Sequence, residues 1–157
     1  ESCENIIKAN KNEIKKLEAE KERPAFERVE EGKKYYTVTT DSDNGVFVKE
    51  YIAGYIRFDK LNFENNNYFL TKERAEEVAD KIKFLLKLER LHDTFCPDYK
   101  PDWNDKSKAK WTVVFDYDEK KYTPYWNIVI DNRTIVYFND SKTTSKVCEI
   151  LNKDIER

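Results

Sequence analysis

One motif occurs twice, and it limits the folds open to this chain more than any other feature. NYFLTKERAEEVADKIKFLLKL (67–88) looks like a strand end running into a helix. Sixty-nine residues later, VYFNDSKTTSKVCEILNKDI (136–155) repeats the plan. Tyr68-Phe69 falls on Tyr137-Phe138, Val78 on Val147 and Ile82 on Leu151. Upstream, Tyr35-Tyr36-Thr37-Val38 is echoed by Lys110-Trp111-Thr112-Val113. A single unit of this size leaves an apolar sheet face open, because small units bury little of their surface. Two units covering each other, or sharing one larger sheet, resolve that.

The local signals fill in the plan. YYTVTT (35–40) is rich in aromatic and β-branched residues, as strands are. DSDNG (41–45) reads as a hairpin turn. VFVKEYIAGYIRF (46–58) supplies one long strand or two short ones, and DKLNFENNN (59–67) a polar loop. Ala75, Val78, Ala79, Ile82, Leu85 and Leu86 form one apolar stripe at helical period, predicting a helix from about Thr71 to Leu91 with Thr71 as its cap. FCPDYKPDWNDKSK (95–108), with two prolines, is a linker. YTPYWNIVI (122–130) and RTIVYF (133–138) read as strands around the turn DYDEKK, and Asp140 or Ser141 caps a last helix through about Leu151. The expected class is α+β: an N-terminal helical arm (1–24), a first antiparallel β-meander plus helix unit (25–95), a linker (96–108), and a similar second unit (109–157).

The arm has its own pattern. Residues 3–22 lack Gly and Pro, and Arg23-Pro24 ends the helix, since proline disfavours helix in the residue before it. Cys3, Ile7, Asn10, Ile14 and Leu17 step by 4, 3, 4 and 3, the coiled-coil spacing. Such a stripe either lies on its own domain or pairs with a second copy. The expectation is a homodimer through residues 3–22, with Ile7, Asn10, Ile14 and Leu17 at the interface.

Composition narrows the function. Twenty-nine basic residues stand against 31 acidic ones, for a net charge of −2. That argues against a strongly electrostatic nucleic-acid binder, which usually carries a basic domain or stripe. No apolar run approaches the ~18 residues of a membrane span. The first residues lack an apolar signal core, and Cys3, Cys96 and Cys148 make no framework of bridges. The chain reads as cytoplasmic and without a membrane contact.

Chemistry-bearing residues are few. His92 is the single histidine and follows the predicted helix, where a histidine bonds terminal carbonyls. Cys96 lies near it, but no orienting group or oxyanion site is marked. Cys148 matches Ala79 in the repeat and is expected in the core. Three isolated cysteines and one histidine have no zinc spacing. Asp41, Asp43, Asp116, Asp118 and Glu119 belong to hairpin turns, and no phosphate-binding glycine loop is present. The expectation is a non-enzymatic protein with no catalytic residue, no metal and no cofactor. The suggestive residues are aromatic: Tyr51, Tyr55, Trp103, Tyr125 and Trp126, beside Arg57. Tyr, Trp and Arg are enriched in binding hot spots and also stack on bases. Alternation along 122–130 separates Tyr125 from Trp126, so one of them is expected to point away from the core.

KKYYTV, NNYFLTKERAEEVADKIKFLLKLERL, DWNDKSKAKWTVVFDYDEKKY and TIVYFNDSKTTSKVCEIL together resemble a group of small proteins encoded by phages and prophages. In these a charged N-terminal helix precedes a double-Tyr strand, an Asn-(x)-Tyr/Phe-Phe-x-Thr-x-x-x-Ala motif and a second half opening with Asp-Trp. The likeness covers about residues 28–151; Arg28-Val29-Glu30 stands where such proteins often carry a Trp. The resemblance implies a phage context. Small phage proteins of this kind often inhibit host defence, anti-CRISPR proteins among them. The implied function is therefore binding and inhibition of a host defence protein such as an RNA-guided CRISPR nuclease. The alternatives are a nucleic-acid-binding accessory protein of phage replication, or a binder of a small signalling nucleotide.

Overall fold

The computed structural model describes residues 10–12, 27–54, 56–132 and 135–156. The described chain is α+β, with two small antiparallel hairpins, each followed by a helix. Strands β1 (Lys34–Asp41) and β2 (Gly45–Ile52) form the first hairpin. Helices α1 (Ile56–Glu64) and α2 (Lys72–Phe95) follow. Strands β3 (Lys110–Asp116) and β4 (Lys121–Asn127) form the second hairpin, and α3 (Ser141–Ile155) closes the chain.

The repeat is structural. In each half the third strand of the expected meander shrinks to one bridging residue: Tyr36 bridges Phe69, and Trp111 bridges Phe138. Tyr68 and Tyr137 precede these bridges, and both are buried. The Tyr68 hydroxyl accepts the Val29 N–H at 3.1 Å, and the Tyr137 hydroxyl the Asn132 N–H at 3.2 Å. Six residues after each bridging Phe, Ala75 and Thr144 are fully buried on the helix that follows.

The stretch 56–64 departs from its sequence pattern: it is helix α1, not strand and polar loop. The polar composition of DKLNFENNN hides a helix whose inward face is partly polar. Asp59 is buried and accepts the Tyr35 hydroxyl at 2.7 Å and the Gly54 N–H at 2.8 Å. Asn62, one turn on, donates to the Tyr35 hydroxyl at 3.2 Å. Asn66 takes the left-handed conformation, φ 59°. Asn67 N–H then reaches Asn62 O, and Asn66 N–H reaches Phe63 O, the paired bonds of a Schellman stop.

Two strand expectations in the second half are also corrected. β4 ends at Asn127, whose side-chain oxygen accepts the Ile130 N–H at 2.9 Å and turns the chain out of the ladder. Of RTIVYF, Phe138 alone joins the sheet among the described residues. Helix α2 runs one turn past the expected end, to Phe95, and stops before Cys96-Pro97. Asp140 is the N-cap of α3, accepting the Thr143 N–H at 2.7 Å.

The chain forms two compact units. One takes in the described residues up to Thr37 together with Glu50–Thr71. Its core stacks Tyr35 on Tyr68 (centroids 4.2 Å apart) and on Tyr51 (5.6 Å), with Ala53, Val29 and Phe63 around them. The other takes in Val38–Lys49 and the residues from Lys72 onward. Its core joins Leu88 of α2 to Cys96, Val136, Phe138, Val147 and Leu151, with Phe84, Leu91, Tyr99, Val113 and Tyr122 packed against them. Helix α2, which the repeat groups with the first half, thus packs on the second half. Among the described residues no helix is long and apolar enough to cross a membrane. Ile7, Ile14 and Leu17 of the expected dimer stripe lie outside the described residues, as does Cys3; Asn10 is helical and exposed.

Candidate interaction surface

The β3–β4 ribbon has two faces set by its register. Trp111 opposes Trp126, Val113 opposes Pro124, and Phe115 opposes Tyr122, so these six share one face; Thr112 and Tyr125 oppose each other on the other. The first face packs inward at its turn end. Tyr122 stacks on Phe84 of α2 at 5.3 Å and meets Phe115 edge-on at 5.1 Å. Thr112 is buried on the second face, its hydroxyl donating to Val136 O at 2.8 Å.

The far end of the ribbon is open. Tyr125 is 50% exposed and Trp126 51%. The two point to opposite faces, yet both meet solvent, because the ribbon ends there. Val129 and Ile130, just past the strand, are 63% and 62% exposed. Four large apolar or aromatic side chains are thus exposed within six residues, at and just past the end of the strand. Trp111 supports Trp126 from beside it, with ring centroids 6.3 Å apart.

The outer edge of β4 is blunted. Asn152 of α3 accepts the Tyr122 N–H at 2.7 Å and donates to the Tyr122 carbonyl at 3.0 Å. Outward-pointing groups alternate along an antiparallel strand, so Pro124 and Trp126 also face out. Proline offers no N–H, a common protection of edge strands. The edge is therefore poorly suited to the addition of a strand.

The other candidate residues are dispersed. Tyr51 and Arg57 lie in the first compact unit, where Tyr51 stacks on Tyr35 and meets Phe58 at 5.0 Å, while Arg57 is exposed. Tyr55 lies outside the described residues. Trp103, in the second unit, is half-buried against Tyr137 (5.1 Å, edge-on) and under the Lys110 ammonium (5.5 Å). Lys110 was the residue that sequence pattern missed. It is buried, and its ammonium donates to the carbonyls of Asp105 and Lys108. Asp105 organises the same loop by accepting the Ser107 N–H and hydroxyl and pairing with Lys108, which together hold its carboxyl down at about 2.

His92 lies in the last turn of α2, and its Nε2 meets Tyr99 O at 3.2 Å, beyond the helix end rather than on its terminal carbonyls. Bonding a carbonyl requires that nitrogen to carry the proton. Burial pushes the Cys96 thiol up, and pushes Cys148 up to about 11. Both sulfurs are held in the unreactive thiol form, the opposite of an activated nucleophile. The acidic turn residues serve the turns themselves: Asp41 accepts the Asp43 and Asn44 N–H groups, and Asp116 those of Asp118 and Glu119.

Compared with known proteins, the chain matches no family model, no curated protein and no solved structure.

Proposed function

We propose that this chain is a non-enzymatic phage protein that engages a partner protein through the open end of the β3–β4 ribbon and blocks it. In the phage context its sequence resembles, that partner is a host defence protein such as an RNA-guided nuclease. The observation that carries the reading is the exposure of Tyr125, Trp126, Val129 and Ile130 at and just past the end of a strand whose edge is blunted. Tyr and Trp anchors on a rigid element are the usual hot spots of protein interfaces. The cluster's setting favours protein over nucleic acid. The stretch that carries it, residues 122–132, holds no lysine or arginine, whereas a nucleic-acid-binding surface usually carries a basic stripe.

The test is a phage challenge of bacteria carrying an RNA-guided nuclease, with and without the protein. Protection of the phage that is lost in Tyr125→Ala/Trp126→Ala, while that variant stays folded by circular dichroism, supports the reading. Full protection by the variant removes the ribbon end from the mechanism. DNA or RNA binding that weakens steeply with salt would point instead to a nucleic-acid accessory role.

A further inference from the structure

The two helices that follow the repeated Tyr-Phe pair carry matching stripes, and one of the two stripes is left open. On α3, Val147 and Leu151 are buried, with Phe84, Leu88 and Leu91 of α2 packed into the same core. The repeat puts Val78 and Ile82 of α2 in their places. These two are half-buried, and Leu85 beside them is 39% exposed. Together they form one wall of a groove of about 400 Å³, whose other wall is Thr112, Val113 and Ile135.

We propose that this groove is a dimer interface, filled by α2 of a second copy running antiparallel about a two-fold axis between Lys81 and Ile82. Two observations choose that occupant. The first is precedent within the chain. The side chains with which α2 covers the α3 stripe, Phe84, Leu88 and Leu91, step by 4 and 3, and Val78, Ile82 and Leu85 step by 4 and 3 as well. A stripe of that spacing on this same helix already packs on a repeat helix once.

The second is charge complementarity. The face of α2 toward the groove runs Arg74, Val78, Ile82, Leu85, Glu89, all on one side of the helix at helical spacing. Turned end for end about its middle, it sets Val78 against Leu85 and Arg74 against Glu89. A two-fold contact must be complementary to itself, and the Arg74–Glu89 exchange meets that requirement at both ends of the apolar stripe. In the single chain Arg74 bonds Glu77 at 2.7 Å, both exposed, and it can exchange that partner for Glu89 of the second copy. Exposed ion pairs add little affinity, so the charges set direction and the apolar stripe supplies the attraction.

The experiment uses the full chain carrying Cys3→Ser. Sedimentation at micromolar concentrations should show a dimer. Arg74→Glu and Glu89→Arg, each alone, should weaken it at least tenfold, since each juxtaposes like charges twice. Mixing the two variants should restore association as a one-to-one heterodimer, because both contacts then join opposite charges. Ile82→Cys, close to the axis, should form a disulfide-linked dimer on mild oxidation. A monomer throughout the micromolar range overturns the proposal. So does a dimer indifferent to both charge changes, or a failure of the mixed variants to associate; an interface built by residues 3–22 instead would give the second of these results.

Discussion

The Tyr35 hydroxyl donates to the Asp59 carboxylate across 2.7 Å in the interior of the first unit, and this bond ties β1 to α1. Both residues are buried, and Asp59 takes its other described bond from the Gly54 N–H. Tyr35→Phe keeps the ring stack on Tyr68 but leaves a buried carboxylate short of a donor. That loss costs about 1–3 kcal/mol, more for a charged group. Urea unfolding should show a lower midpoint with an unchanged slope. An unaltered midpoint would mean that water replaces the phenol without cost.

The same pair makes the protein sensitive to alkali. Burial, and then the bond to Asp59, push the Tyr35 phenol up from 10.0 to about 12. Below pH ~10 the ring is neutral in both folded and unfolded chains, and its contribution is complete. Between about pH 10 and pH 12 the unfolded phenol ionises while the folded one does not. Stability is therefore lost as pH rises through that window. Tyr99 and Tyr122, also raised by burial, act in the same direction. Thermal melts from pH 9 to 12 should fall less steeply for Tyr35→Phe than for the parent chain.

These residues also show what sequence pattern can and cannot convey. The repeat was legible because Tyr68-Phe69 and Tyr137-Phe138 are bulky, adjacent and followed by helical periodicity. Helix α1 was not, because Asp59 and Asn62, which bond Tyr35, read as solvent-facing. Lys110 was missed for the same reason: a lysine in a strand signals exposure, and nothing local reveals that two loop carbonyls and Trp103 await its ammonium. At the ribbon end, Tyr125 and Trp126 were recognisable as candidates, and both are exposed. Val129 and Ile130 were read as strand, since apolar residues after a strand look like its continuation. Their exposure follows from the Asn127 turn, which a single polar residue does not announce.

Asn152 offers a separate test of how the ribbon is held. Its amide satisfies both outward backbone groups of Tyr122, linking α3 to β4. Asn152→Asp keeps the acceptor for the N–H but sets a carboxylate oxygen against the Tyr122 carbonyl. Asn152→Ala removes both bonds. Each substitution should cost about 1–2 kcal/mol, and the aspartate should be the worse of the two near neutral pH. Hydrogen exchange at the Tyr122 amide should accelerate in Asn152→Ala; unchanged exchange would show the clamp to be dispensable.

The cysteines test the non-enzymatic reading directly. Cys96 and Cys148 are free and buried in the second unit, and both thiols are pushed up by desolvation, Cys148 to about 11. Thiolate, not thiol, attacks disulfide reagents, and burial adds a barrier of access. In a Cys3→Ser protein at neutral pH, a chromogenic disulfide should therefore find no fast thiol, and two thiols should react promptly once urea unfolds the chain. His92 should not change this, since the Nε2 that meets Tyr99 O carries its proton as a donor there. His92→Ala and Cys96→Ala should accordingly leave partner binding intact, apart from lowered stability. A Cys96 that reacts within seconds in the folded protein would be an accessible, activated sulfur, and its chemistry would then have to enter the account of what the protein does.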